Sequence, residues 1–287
     1  MKLFSFDRVD LCHSRQLLTR PAQLYASIEE DDAVSLDRLL NIAQLANKYC
    51  IASYESWALE RVFSLAQNPN GFLRHAPPET CARALDVAFL CNHDPLVDVI
   101  IQRLTARILW SNVNRQPILQ VATRLGLTTL QGVIFYRELV DLERTTRDES
   151  KTSGLAFLSA ISDEETRIRL FTAYHSLVNL WDRIRTTPPP PIVANNDHTC
   201  RTHSECLATW TNLWLAVASS DQTLKYASVD VLGRLKSMMI QLKKMTMEDG
   251  NGLSLRCTLA ALESIASARD DIVAGLIRHF QHRYADR

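Results

Sequence analysis

Residues 196–210 read NDHTCRTHSECLATW and place His198, Cys200, His203 and Cys206 within nine positions. Thiolate sulfur and imidazole nitrogen are the ligands zinc prefers, and short spacings between them are usual. A structural zinc site normally draws on two short ligand clusters separated by a loop or helix. Here one cluster is present, and Cys257 is the nearest further candidate. The ligand set for such a site is therefore Cys200, His203, Cys206 and Cys257. A packing account competes with it. Thr202 and Glu205 have the spacing of a capping box at a helix start. Leu207, Trp210, Trp214 and Val217 continue at helical spacing, and Cys206 falls in line with Trp210 as a small core residue. His203 then sits in the first turn and hydrogen-bonds locally. The sequence alone favours packing and keeps zinc as the alternative.

Three other patterns carry chemistry in principle. Arg185, Pro188 and Pro191 form Arg-x-x-Pro-x-x-Pro, a ligand pattern for aromatic-lined SH3-type grooves. The same prolines also make a stiff connector in polyproline II, which is the simpler reading. Cys91, His93 and Asp94 supply nucleophile, base and acid residue types. Neighbours this close at a helix end reach triad geometry only rarely. An Asn-His-Asp-Pro turn, with Pro95 opening the next helix, accounts for them better. Arg234, Lys236, Lys243 and Lys244 gather positive charge on one helix. Asp230, Glu248 and Asp249 lie close in sequence, and a solvated face is the expectation. The phosphate-cradling and metalloprotease motifs GxxxxGK[ST], GxGxxG and HExxH are absent, as is the nucleophile elbow GxSxG. Eight glycines in 287 residues leave little material for a phosphate loop. No catalytic set emerges, and the chain is expected to be no enzyme.

The elements that must position these residues read as helices. Apolar side chains recur at three and four residue spacings, with no sustained alternation. Three segments repeat a helix-turn-helix pattern, and each opens on Leu-x-x-Ala: Leu40–Ala43, Leu85–Ala88 and Leu119–Ala122. Their turns are CIASYES, CNHDP and LGLTT. One such hairpin cannot bury its apolar stripe, so the three are expected to stack. Unequal separations of 45 and 34 residues make the array irregular. QNPNGFLRHAPPET and ERTTRDESKTSG (143–154) read as loops. Ser162 with Glu165 caps a helix whose buried stripe is Leu170, Tyr174, Leu177 and Trp181. Stacked prolines make residues 186–197 non-helical. Helices follow at 203–218, 228–247 and 254–283. The expected organisation is a segment 1–32, a hairpin region 33–185, a proline-rich connector 186–197 and a helical region 198–287. The fold class is all-α, an irregular array of stacked hairpins followed by a further helical bundle.

Composition narrows the function classes. Lys plus Arg and Asp plus Glu both number 32, so the formal net charge is zero. That removes a global pull on phosphate backbones or acidic lipid, and argues against nucleic acid as a partner. No apolar run is long enough to span a membrane. Seven cysteines, an odd number set mostly in helical patterns, read as thiols in a reducing compartment, cytoplasmic or nuclear.

The stretch PAQLYASIEEDDAVSLDRLLNIAQLANKYCIASYESWALERVF resembles the region that follows the BTB/POZ fold in a large group of fungal BTB-domain proteins, most numerous in mushroom-forming fungi. The likeness continues through ALDVAFLCNHDPL, LGLTTLQGVIFYREL, RIRLFTAYHSLVNLWDRIR, HSECLATWTNLW and DVLGRLKSM. The resemblance implies BACK-type helical hairpins that engage a protein partner. It brings no active-site motif, and it shares Cys-x-x-His-x-x-Cys at Cys200, His203 and Cys206. It also implies a preceding BTB fold of about a hundred residues, whereas some thirty residues precede the helices here, too few for that core. FDRVDLCHSRQLLTRPAQLY then reads as a remnant of its last helices, and the cullin-type scaffold contact that some BTB proteins make is not expected. An adaptor-like protein-interaction module is the leading expectation, with Tyr54, Phe135 and Tyr136 as aromatic anchors near hairpin ends. Trp57, close by, is expected to pack in the core. A zinc-stabilised regulatory domain is the second.

Overall fold

The computed structural model describes residues 35–150, 163–190, 200, 203–248 and 253–281. Among them the structure is all-α, with no strand. The chain divides into two compact units, residues 1–130 and 131–287.

The first unit holds α1 (Leu36–Lys48), α2 (Ala52–Gln67), the short α3 (Phe72–His75), α4 (Pro78–Leu90), α5 (Asp94–Trp110) and α6 (Gln116–Arg124). Helices α1, α4 and α6 pack side by side, and α2 packs on α5. Leu40, Ala43, Leu85, Ala88, Ile118 and Ala122 are buried between them. Arg83 on α4 reaches Asp37 on α1 at 3.3 Å, and Arg124 on α6 reaches Asp86 on α4 at 2.8 Å. Exposed pairs of this kind add register more than stability.

One backbone device ends α1, α4 and α6. Cys50, Asn92 and Gly126 adopt left-handed φ of 55°, 51° and 67°. The next amide in each case donates five residues back: Ile51 to the Ala46 carbonyl, His93 to Ala88, and Leu127 to Ala122, at 2.8–3.0 Å. A second bond runs from Cys50 to Asn47, Asn92 to Phe89 and Gly126 to Thr123. These are three Schellman caps in one register, each with alanine at the same place. They align Ala46 with Ala88 and Ala122. The Leu40–Ala43 pair expected in the first repeat therefore lies three residues early.

The second unit contains most of α7 (Thr128–Ser150), then α8 (Glu164–Thr186), α9 (His203–Ala218), the short α10 (Asp221–Leu224), α11 (Val231–Glu248), α12 (Leu255–Gly275) and the short α13 (Ile277–Phe280). The polar stretch 143–154 is not a loop where described, because α7 runs through residue 150. Glu143 is 3% exposed, and its carboxylate accepts from the Ser228 and Val229 amides at 2.7 and 3.1 Å. A charged residue that reads as loop material caps buried backbone instead. QNPNGFLRHAPPET likewise contains α3 and the start of α4. Ser162 lies outside the described residues. The α8 cap is Asp163, which accepts from the Thr166 amide at 2.9 Å. On α8, Leu177 and Trp181 are buried with Ala173, while Leu170 and Tyr174 are half-exposed. No described helix is long and apolar enough to cross a membrane.

Candidate metal centre

Two helix starts make the site. Helix α9 begins at His203, and its stripe of Cys206, Trp210, Trp214 and Val217 is buried. Leu207 departs from the expected stripe and is 38% exposed, because one further residue rotates it about 100° off the buried face. Ser254 caps α12, accepting from the Cys257 amide at 3.3 Å, which places Cys257 in the first turn. Helices α9 and α12 pack together, and that contact brings the two starts into register. Thr202 and His198 lie outside the described residues.

Trp214 donates its indole N–H to the Ile184 carbonyl at 2.9 Å, and Trp210 donates to that of Pro189 at 3.3 Å. These bonds hold the end of α8 and the first prolines against α9. Cys200 then lies half-buried, three residues ahead of the helix.

The ligand atoms of Cys200, His203 and Cys257 lie within 4.8 Å of one another, a spacing that a metal ion could occupy. Cys200 Sγ is 3.7 Å from Cys206 Sγ, and Cys257 Sγ is 3.6 Å from His203 Nδ1. Burial pushes the Cys257 thiol up, and the nearby Cys200 and Cys206 sulfurs push the same way against the Ser254 hydrogen bond. Three of the four residues named from the sequence, Cys200, His203 and Cys257, therefore meet, although Cys257 is 54 residues from His203, while Cys206 lies against Cys200 and outside that group of three. Cys81, Cys91, Cys200, Cys206 and Cys257 are in no disulfide, whereas Cys50 is disulfide-bonded and departs from the all-thiol expectation.

The remaining sequence candidates take other places. Tyr136 is 1% exposed, so it is a core residue and not an exposed anchor. Its hydroxyl donates to Asp230 Oδ1 at 2.9 Å and accepts from the Leu232 amide at 3.0 Å. Burial, and then the Asp230 charge, drive its ionisation well above the usual tyrosine range. Phe135 is half-buried, with its ring 5.7 Å from that of Phe280. Tyr54 and Trp57 are half-buried. Arg185 pairs with Asp182 at 2.7 Å, Pro188 is half-buried, and Pro191 lies outside the described residues. His93 Nδ1 accepts from the Leu96 amide and caps α5, so the Cys91, His93 and Asp94 trio is a turn. Arg234 is not on the solvated face. It is 8% exposed, with its guanidinium 4.9 Å above the Trp181 ring.

Sequence reasoning missed two features. Tyr49, Ile51, Phe89 and Leu90 are 41–51% exposed beside the first two Schellman turns. Ser176 Oγ lies 2.7 Å from His279 Nδ1, a pair separated by 103 residues and invisible to spacing. Burial and Arg183 hold His279 below its usual range. No carboxylate orients that imidazole among the described residues, so the pair lacks the third member of a nucleophilic set. No protein-family model, curated protein or solved structure matches the chain.

Proposed function

We propose that this chain is a non-enzymatic helical protein whose second unit is pinned by one structural zinc ion, bound by Cys200, His203, Cys206 and Cys257. The pair of ligand distances carries the reading. Zinc–sulfur bonds of about 2.3 Å and zinc–nitrogen bonds of about 2.0–2.1 Å at tetrahedral angles separate two sulfurs by about 3.8 Å, and sulfur from nitrogen by about 3.6 Å. The corresponding separations here are 3.7 and 3.6 Å. Cys200, His203 and Cys257 form the group within reach of one ion, and Cys206, whose Sγ lies beside that of Cys200, would close the shell as a fourth ligand, the mark of a structural site. Held in this way, the starts of α9 and α12 are tied by the metal as well as by packing.

Native mass spectrometry of the full chain, purified without added metal or chelator, tests this. One zinc per chain, absent from Cys257→Ser, is the expected result. Cobalt(II) in place of zinc should give the intense visible absorption of a four-coordinate thiolate site. A chain that stays metal-free after incubation with zinc salt overturns the reading.

A second reading concerns the first unit, as an adaptor-like surface for a protein partner. The exposed Tyr49, Ile51, Phe89 and Leu90 at its hairpin turns favour it. Kinship with the helical region of BTB proteins rests on the sequence resemblance alone.

A further inference from the structure

We propose that the four-residue centre is also a thiol switch, in which a hydroperoxide converts Cys200 and Cys206 to a disulfide and expels the zinc. This rests on the zinc reading above. All three sulfurs lie near one another, and two of the close approaches differ in kind. Cys200 and Cys206 face each other sulfur to sulfur at 3.7 Å, while Cys257 faces a nitrogen, His203 Nδ1, at 3.6 Å. A disulfide requires about 2.05 Å, so the first pair must close by less than 2 Å.

Access separates the same two residues. Cys200 is half-buried and lies outside α9, whereas Cys206 and Cys257 are 1% and 5% exposed inside helices. An oxidant from solvent therefore meets Cys200 first. Its sulfur attacks the outer oxygen of the hydroperoxide, and the O–O bond breaks. A sulfenic acid forms, and the other oxygen leaves as water or alcohol after taking a proton. Cys206 sulfur then attacks the sulfenic sulfur. The S–S bond forms, and the hydroxyl leaves with a second proton as water. Two thiolates, one hydroperoxide and two protons thus give one disulfide, one alcohol or water, and one water. Zinc keeps its charge throughout and departs because two of its four ligands have gone. Cys257 and His203 remain as a two-ligand remnant, and the metal no longer ties α12 to α9.

The test uses the full zinc-loaded chain, hydrogen peroxide as oxidant, a chromogenic zinc indicator and peptide mass mapping. Two thiols should disappear for each zinc released. The new linkage should map to Cys200–Cys206, and dithiothreitol with zinc chloride should restore both counts. Zinc retained through peroxide treatment, or released with a linkage elsewhere, overturns the switch and leaves the structural site standing. A chain that never binds zinc overturns both. Cys200→Ser that still binds zinc should release it far more slowly under the same peroxide, and an unchanged release rate overturns the assignment of Cys200 as the entry point. If that variant binds no zinc, the linkage map of the unmodified chain decides alone.

Discussion

Cys257 and Tyr136 are both nearly buried and both bridge distant segments, yet their removal should differ in scale. Structural zinc contributes on the order of 10 kcal/mol in small zinc domains. Losing one thiolate should therefore cost far more than losing one neutral hydrogen bond. Cys257→Ser is expected to shed the metal and lower the melting temperature sharply, read by calorimetry with and without zinc. The same substitution should change little in protein stripped of metal beforehand. Tyr136→Phe keeps the ring in its place and strands the Leu232 amide and one bond to Asp230. Leaving such groups unsatisfied costs about 1–3 kcal/mol. Urea titration should show the unfolding free energy fall by that much with zinc content unchanged. Zinc loss in Tyr136→Phe would mean that the polar network and the metal centre are one cooperative feature.

At the scale of the element, glycine marks two unlike constraints. Gly126 has φ of +67°, and an added Cβ would meet nothing within 4 Å. Gly132 sits inside α7, where an added Cβ would lie 2.5 Å from the Ile277 amide nitrogen and 3.0 Å from its Cα. Gly126→Ala should cost about 1 kcal/mol through backbone strain alone. Gly132→Ala gains helix propensity yet should cost about 1–3 kcal/mol, because backbone cannot give way as a flexible side chain does. Asn92 occupies the same left-handed position as Gly126, so Asn92→Gly should be neutral or stabilising. Denaturant melts of the three variants check the order. A stabilised Gly126→Ala would show that the third cap is not as drawn. The helices themselves were legible because a 3.6-residue period is written in side-chain types. Their register was not, because the caps depend on φ at Cys50 and Asn92, and neither side chain announces a left-handed turn as glycine does. The stretch 143–154 misled for a related reason. Polar composition says loop, and only the fold shows that Glu143 reaches buried amides at Ser228 and Val229.

For the whole molecule, the two units should answer metal removal differently. Every proposed ligand belongs to the second unit, and the hairpins of α1 to α6 are held by their own caps and apolar packing. The candidate ligands were legible in the sequence as residue types, because few residues combine sulfur and imidazole within nine positions. Their convergence was not, because it depends on α12 packing against α9 across 54 residues. That non-local contact is what zinc would secure, so its loss should appear there first. Hydrogen exchange followed by mass spectrometry, with and without a zinc chelator, makes the comparison. Amides at the starts of α9 and α12 should lose protection several-fold or more, while those of α1, α4 and α6 keep theirs. Uniform loss across both units would mean that the metal supports one cooperative fold. No change anywhere, in protein shown to have lost its zinc, would mean that packing alone holds α9 to α12. The Trp210 and Trp214 bonds to Pro189 and Ile184 would then be the stronger tie of that region.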